Sequence, residues 1–230
     1  MKWKNIVGLI LVGFFSNSAI AQKESVNPGI NTSYLKEGLV VKEWIERLEA
    51  EGREVFVNRE AIVKRLGLKR GMDVADIGSG TGAHLPYLSK AVGKKGKVYA
   101  VDIVPKFLEH IDEQRKQNDW KNVETALCSE RSVKLPANSV DLTFICNVYH
   151  HFEYPEDTLA SIHEAVRPGG KLVLIDFKRI PGESSDWIIG HMRAGQEVFE
   201  NEIKNAGFKK MGEVNDLLTD NYMVLFEKVE

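Results

Sequence analysis

Cysteine is nearly absent from this chain: Cys128 and Cys146 are the only two among 230 residues. At most one disulfide can form, so a cross-linked scaffold is excluded and the fold must rest on a buried core. Neither sign of charge dominates. Lysine and arginine number 31 against 33 aspartates and glutamates, a formal net charge of −2. The one-signed basic surface that a nucleic-acid partner requires is missing, so no nucleic acid is expected as a partner. Long apolar runs are missing too. The longest, Ile6 to Phe15, is about ten residues, half of what a bilayer-spanning helix needs, so no stable membrane span is expected. Internal repeats and low-complexity tracts are absent.

What is present is enough for one domain. A hydrophobic content of 43% over 230 residues supports a single well-buried core and not two large ones. The first residues form a unit of their own. Lys2 and Lys4 make a positive start, the short apolar run follows, and Ala19-Ile20-Ala21 places small residues where a signal peptidase reads. The expectation is a signal peptide over 1–21, cleaved after Ala21, and a periplasmic or extracellular address. No cysteine follows the run, so no lipid attachment is expected there. A flexible polar lead over 22–38, carrying Pro28 and Gly29, and amino-terminal helices over 39–70 come next. In those helices Val41, Trp44, Ile45, Leu48, Val55, Phe56, Ile62, Val63 and Leu66 recur at helical spacing, with a break expected at Gly52.

From residue 71 to the end the pattern alternates. Apolar strands are expected at Met72–Ile77, Gly96–Asp102, Val123–Cys128, Val140–Cys146 and Lys171–Phe177. Helices are expected at Ala83–Val92, Pro105–Asn118, Pro155–Val166 and Ile188–Ala206. Two last strands, Phe208–Val214 and Tyr222–Lys228, are separated only by a polar loop and read as a hairpin. Alternating strand and helix implies a doubly wound, mostly parallel α/β sheet of the Rossmann-like kind.

The chemistry concentrates at Asp76-Ile77-Gly78-Ser79-Gly80-Thr81-Gly82, between the first strand and its helix. Glycine there lets backbone come close to a ligand, and the carboxyl ends of such strands form the ligand crevice. Asp102 ends the second strand about twenty residues later, the offset of an acid that accepts from ribose hydroxyls. Both features are shared with dinucleotide enzymes. The loop, however, lacks the third glycine of that fingerprint, and Asp76 would repel a pyrophosphate while suiting a cationic ligand.

Val74 to Gly82 resembles motif I of the class I S-adenosylmethionine (SAM) dependent methyltransferases. Val98 to Asp102 resembles their second motif, Val140 to Cys146 their fourth, and Val166 to Leu174 their Pro-Gly-Gly turn and fifth strand. The resemblance covers roughly residues 55 to 228. It implies a seven-stranded sheet in the order 3-2-1-4-5-7-6 with strand 7 antiparallel, and SAM as cofactor. It further implies that Gly78, Gly80 and Gly82 line the methionine and ribose portion and that Asp76 meets the amino-acid end. Asp102 would hold the ribose, Ile103 would lie against the adenine, and Asn147 would face the methionine. Where the family often carries an Asp after strand three, this chain has Cys128-Ser129-Glu130-Arg131, leaving Ser129 or Glu130 for the adenine amino group. The same order puts Cys128 and Cys146 three strands apart, roughly 14 Å, against a limit of about 7 Å for a disulfide Cα pair.

Methyl transfer needs orientation, exclusion of water and, for some acceptors, a base. Tyr149, His150 and His151, just past strand four, are the catalytic candidates. His191 and Arg193 are further groups that can face an acceptor, and Tyr34 and Arg59 can reach the cofactor from the amino-terminal helices. No cysteine or histidine spacing matches a known ligand pattern, so no metal is expected. The expected function is methyl transfer to a small-molecule acceptor, since nothing between strands five and seven is long enough for a large recognition domain. A non-catalytic SAM or S-adenosylhomocysteine sensor shares the same motifs, and an NAD-dependent oxidoreductase is disfavoured by the loop. Export sets a constraint of its own, because SAM is made in the cytoplasm.

Overall fold

The computed structural model describes residues 22–229, so the expected signal segment lies outside the described residues. Seven strands form one sheet: β1 (Asp73–Ile77), β2 (Lys97–Asp102), β3 (Val123–Leu127), β4 (Val140–Cys146), β5 (Val166–Phe177), β6 (Phe208–Val214) and β7 (Asn221–Lys228). Their order is β3-β2-β1-β4-β5-β7-β6. The first five run parallel, and β7 runs antiparallel to both β5 and β6. The expected order and the antiparallel seventh strand are both observed.

Both sheet faces are buried, which is why the central strands read as unbroken apolar runs. Successive residues alternate between two cores. Ala75 and Ile77 of β1 and Leu172 and Leu174 of β5 face one side, with Val74, Val173 and Ile175 on the other. The first core is closed by α6 (Pro155–Ala165) and α8 (Gln196–Asn205) through Leu159, Ile162, Phe199 and Ile203. The second is closed by α3 (Arg59–Arg65), α4 (Leu85–Val92) and α5 (Pro105–Gln117) through Ile62, Leu85, Leu88, Leu108 and Ile111. At the amino ends of the strands, Arg167 forks onto Asp73 and Asp141, each at 2.8 Å, and ties β5 to β1 and β4. That end is stapled, and the carboxyl ends carry the loops.

Several boundaries differ from the periodicity. The amino-terminal helical stretch is three short helices, α1 (Val41–Leu48), α2 (Glu54–Val57) and α3, with a second break at Asn58. The helix expected over Ile188–Ala206 is two, α7 (Asp186–His191) and α8. Arg179 explains the interruption: its guanidinium donates to the Ile189 and Met192 carbonyls, 3.0 Å each, and ends α7 there. Met192 is buried just past the end of α7, and the chain restarts at Gly195 with extended backbone. β5 begins five residues before the expected Lys171, because Val166 already pairs with Val140 ahead of a register shift across the Pro-Gly-Gly turn.

The polar lead has no regular secondary structure, but it is docked. Buried Glu153 accepts from the Ser25 hydroxyl at 2.9 Å and the Gly29 amide at 3.4 Å. Arg131 holds the Gln22 carbonyl and pairs with Asp157. Asn31 is buried, donating to the His151 carbonyl at 3.0 Å. Among the described residues no helix is long and apolar enough to cross a membrane, and both cysteines are free.

Candidate active site at the carboxyl ends of the strands

The glycine loop leaves β1 and folds back onto the end of β2. The Gly78 and Ser79 amides both donate to the Val101 carbonyl, at 2.7 and 3.0 Å. The Gly80 amide donates to Asp102 Oδ2 at 2.8 Å, and the Val104 amide to Oδ1 at 2.8 Å. Asp102 therefore organises the loop it was expected to work beside. Each carboxylate oxygen keeps a second lone pair for a ligand.

Gly78, Gly80 and Gly82 all have left-handed backbone, with φ of +69°, +53° and +84°. For two of them the close approach is to protein. A Cβ on Gly78 would sit 2.4 Å from Val148 Cγ2, and one on Gly82 would sit 2.9 Å from Leu85 Cδ1. At Gly80 the nearest atom to such a Cβ is Leu48 Cδ1 of α1, at 3.5 Å. The amino-terminal helices thus lie over the loop. Above it Tyr34 stacks on Trp44, ring centroids 4.2 Å apart, and Trp44 packs edge-on against Phe107.

Two carboxyl groups are buried here without a cation. Burial, and then the charge of Asp102, push Asp76 up to about 7. Burial pushes Asp102 up to about 6 against the pull of its backbone hydrogen bonds. Asn147 follows β4 with φ +51°, and both atoms of its buried amide lack a hydrogen-bond partner. Uncompensated carboxyls and an orphaned amide in one crevice suit a ligand that brings positive charge and hydrogen-bonding groups.

The crevice holds two small hollows. One, of about 80 Å³, is lined by Asn31, Tyr34, Gly80, Asp102, Asn147 and His151, among others. The other, of about 60 Å³, is lined by Gly78, Ile103, Ser129, Glu130, Val148 and His151 together with further apolar groups. Asn31, Ile103, Val148 and His151 border both. Ser129 and Glu130 thus stand beside Ile103, where the adenine end was expected, with the Glu130 carbonyl accepting from Thr158 at 3.0 Å. Arg59 lies elsewhere, stacked over Phe56 at 3.9 Å and lining a groove beside Thr81 and Gly82.

The three catalytic candidates share one 3₁₀ turn, Tyr149–His151, and end up in different surroundings. Tyr149 is fully buried in the core, its hydroxyl 2.8 Å from Glu202, which also holds Arg193 through two nitrogens. Its phenol does not border either hollow. His150 is buried with Nδ1 2.8 Å from Asp176 Oδ1. Its backbone amide donates to Asp176 Oδ2 at 3.2 Å. Only His151 borders the hollows. Burial, and then His150, push it down to about 2, so it is unprotonated and a weak proton acceptor at neutral pH. His191 closes α7 beside this pair, its ring centroid 5.0 Å from His150 and 5.3 Å from His151. The sequence offered no spacing signal for that meeting, because α7 and the 3₁₀ turn come together only through the end of β5.

A doubly wound sheet with paired acids at the carboxyl ends of β1 and β2 defines a nucleoside-binding domain of the Rossmann-like class. Comparison with known proteins narrows the class. Residues 75–174 match the methyltransferase-domain family. The crystal structure of a SAM-dependent methyltransferase from Aquifex aeolicus is 30% identical, with a TM-score of 0.73, covering 83% of this chain and 100% of that one. A ubiquinone/menaquinone biosynthesis C-methyltransferase of Cupriavidus taiwanensis is 28% identical over 118 residues, 51% of this chain and 48% of its own. The chain thus spans about half the length of the curated relatives it matches. The carbon methyltransferase CurJ, at 16% identity and a TM-score of 0.64, shares the fold. The chain belongs to the SAM-dependent methyltransferase family, and SAM is its cofactor.

Proposed function

We propose that this SAM-dependent methyltransferase is exported and transfers its methyl group to a small-molecule acceptor. The observation that carries the small acceptor is the chain between β5 and β6. It holds only the short helices α7 and α8, with no inserted unit to recognise a macromolecule. The signal-like amino terminus supports export. The match to quinone C-methyltransferases covers half of each chain, so the acceptor is not carried over from them.

When bound, SAM supplies an electrophilic methyl on a sulfonium. The residues present fit it. Asp76 would hold the ammonium end and regain its ionised form on doing so. Asp102 would receive the ribose hydroxyls on the lone pairs that Gly80 and Val104 leave free. The unpartnered Asn147 amide would take up the methionine moiety, and Ile103 would cover the adenine beside Ser129 and Glu130. His151 borders the crevice as a positioning group, its low basicity fitting orientation of the acceptor better than proton removal. Hollows of about 80 and 60 Å³ are well short of the several hundred cubic ångströms of a cofactor site, so the crevice widens on binding.

Calorimetry with SAM and S-adenosylhomocysteine, followed by labelled SAM with fractionated extracts, tests the reading. Label is expected in the small-molecule fraction, and label confined to protein or nucleic acid would refute the small acceptor. Cell fractionation with amino-terminal sequencing tests export. A mature start at Gln22 is expected, and a start at Met1 would overturn it.

A further inference from the structure

The tertiary fold brings three histidines together from two distant segments. His150 and His151 stand in the turn after β4, and His191 ends α7. One ring nitrogen from each lies within 4.8 Å of the other two. We propose that His150, His151 and His191 form a binding site for a divalent transition-metal ion, zinc by preference.

The donor set selects the ion. Three imidazoles with no carboxylate or carbonyl among them suit zinc, cobalt, nickel or copper and exclude magnesium and calcium, which require oxygen. Three imidazoles plus one open position is an established zinc arrangement. Asp176 supplies the usual support for such a ligand. It is fully buried, and its Oδ1 lies 2.8 Å from His150 Nδ1, leaving Nε2 as the ring nitrogen available to a metal. A metal-bound histidine typically gives its other nitrogen to a carboxylate in this way, which fixes the ring and raises its basicity. The Trp187 ring, one turn earlier on α7, stacks on His191 at 4.6 Å and 18° and orders the third imidazole on its own helix.

A second observation points to a missing partner. His151 is more than nine-tenths buried, and its Nδ1 has no hydrogen bond. Simple packing of three rings would leave that polar atom unsatisfied. Ligand nitrogens on a zinc tetrahedron sit about 3.4 Å apart for bonds of 2.0–2.1 Å. The rings must therefore close by about an ångström, and His191, on a short helix at the surface, is the one free to move.

Metal binding here is independent of the acceptor and of methyl transfer, and is tested on the full chain purified without a histidine tag, stripped with chelator and titrated with zinc and with cobalt. One equivalent is expected, with cobalt giving the visible bands of a tetrahedral nitrogen site. His191→Ala should weaken zinc binding at least about 100-fold. Asp176→Asn should weaken it about 10- to 100-fold through the lost support. His110→Ala, on α5 away from the cluster, should leave it unchanged. Melting curves and SAM titrations of each variant establish that it is folded. Failure to bind zinc at micromolar concentration would overturn the site. So would equal binding by a folded His191→Ala protein, or a thiolate charge-transfer band in the cobalt spectrum.

Discussion

Replacing Asp76 with Asn should make the ligand-free protein more stable while loosening its hold on SAM. The carboxyl group is buried on β1 and lifted from 3.8 to about 7, by burial first and the Asp102 charge second. The folded state therefore binds this proton more tightly than the unfolded chain. Stability is fully present below about pH 4, falls as pH rises from there to about 7, and above that carries the whole cost of the buried charge. At about 1.36 kcal/mol per tenfold change, a rise from 3.8 to about 7 amounts to about 4 kcal/mol. That is a ceiling, since a buried amide that finds incomplete partners itself costs about 1–3 kcal/mol. A net gain of about 2 kcal/mol, at about 2–4 °C per kcal/mol for a chain of this size, raises Tm by about 4–8 °C. The gain belongs at pH 8.5 and should lose most of its size at pH 5, where Asp76 is protonated in the folded state and only the unfolded chain, titrating near 3.8, still releases the proton. Melting curves of both proteins at the two pH values, with and without SAM, provide the measurement. An Asp76→Asn protein that melts at or below the parent at pH 8.5 would refute the uncompensated buried charge. A stabilised variant with unchanged SAM affinity would instead remove Asp76 from the ammonium site.

Two further substitutions separate architecture from chemistry. Gly78→Ala meets both a φ of +69° and Val148 at 2.4 Å, so it should cost more than about 2 kcal/mol in denaturant unfolding. Paired with Val148→Ala it should cost less than the sum of the two single changes by about 1 kcal/mol, the coupling expected of a direct clash. Tyr149→Phe removes a hydroxyl that meets Glu202 deep in the core. It should lower stability by about 1 kcal/mol and leave kcat and KM for SAM within about twofold. A large loss of kcat in folded protein would return the phenol to the chemistry.

Much of this protein is legible along its chain. The alternation of apolar strand and amphipathic helix is local, so β1, β2, β4 and the hairpin of β6 and β7 fall within a residue or two of where periodicity puts them. The glycine loop and Asp102 are legible as well, because a left-handed turn and a strand-end acid demand particular residue types in a short span. What the loop glycines touch is not legible: Val148 and Leu85 fill the space against Gly78 and Gly82, which only packing reveals. The long helix expected after β5 is cut by Arg179, whose reach to the Ile189 and Met192 carbonyls depends on the tertiary fold. Tyr149, His150 and His151 are adjacent, yet the 3₁₀ turn sends one into the core, one onto Asp176 and one into the crevice. His191 joins them across a long stretch of chain that carries no ligand spacing. Local sequence determined the elements and the cofactor loop. Tertiary structure alone decided which side chains meet, because contact between distant segments depends on how the helices settle on the sheet.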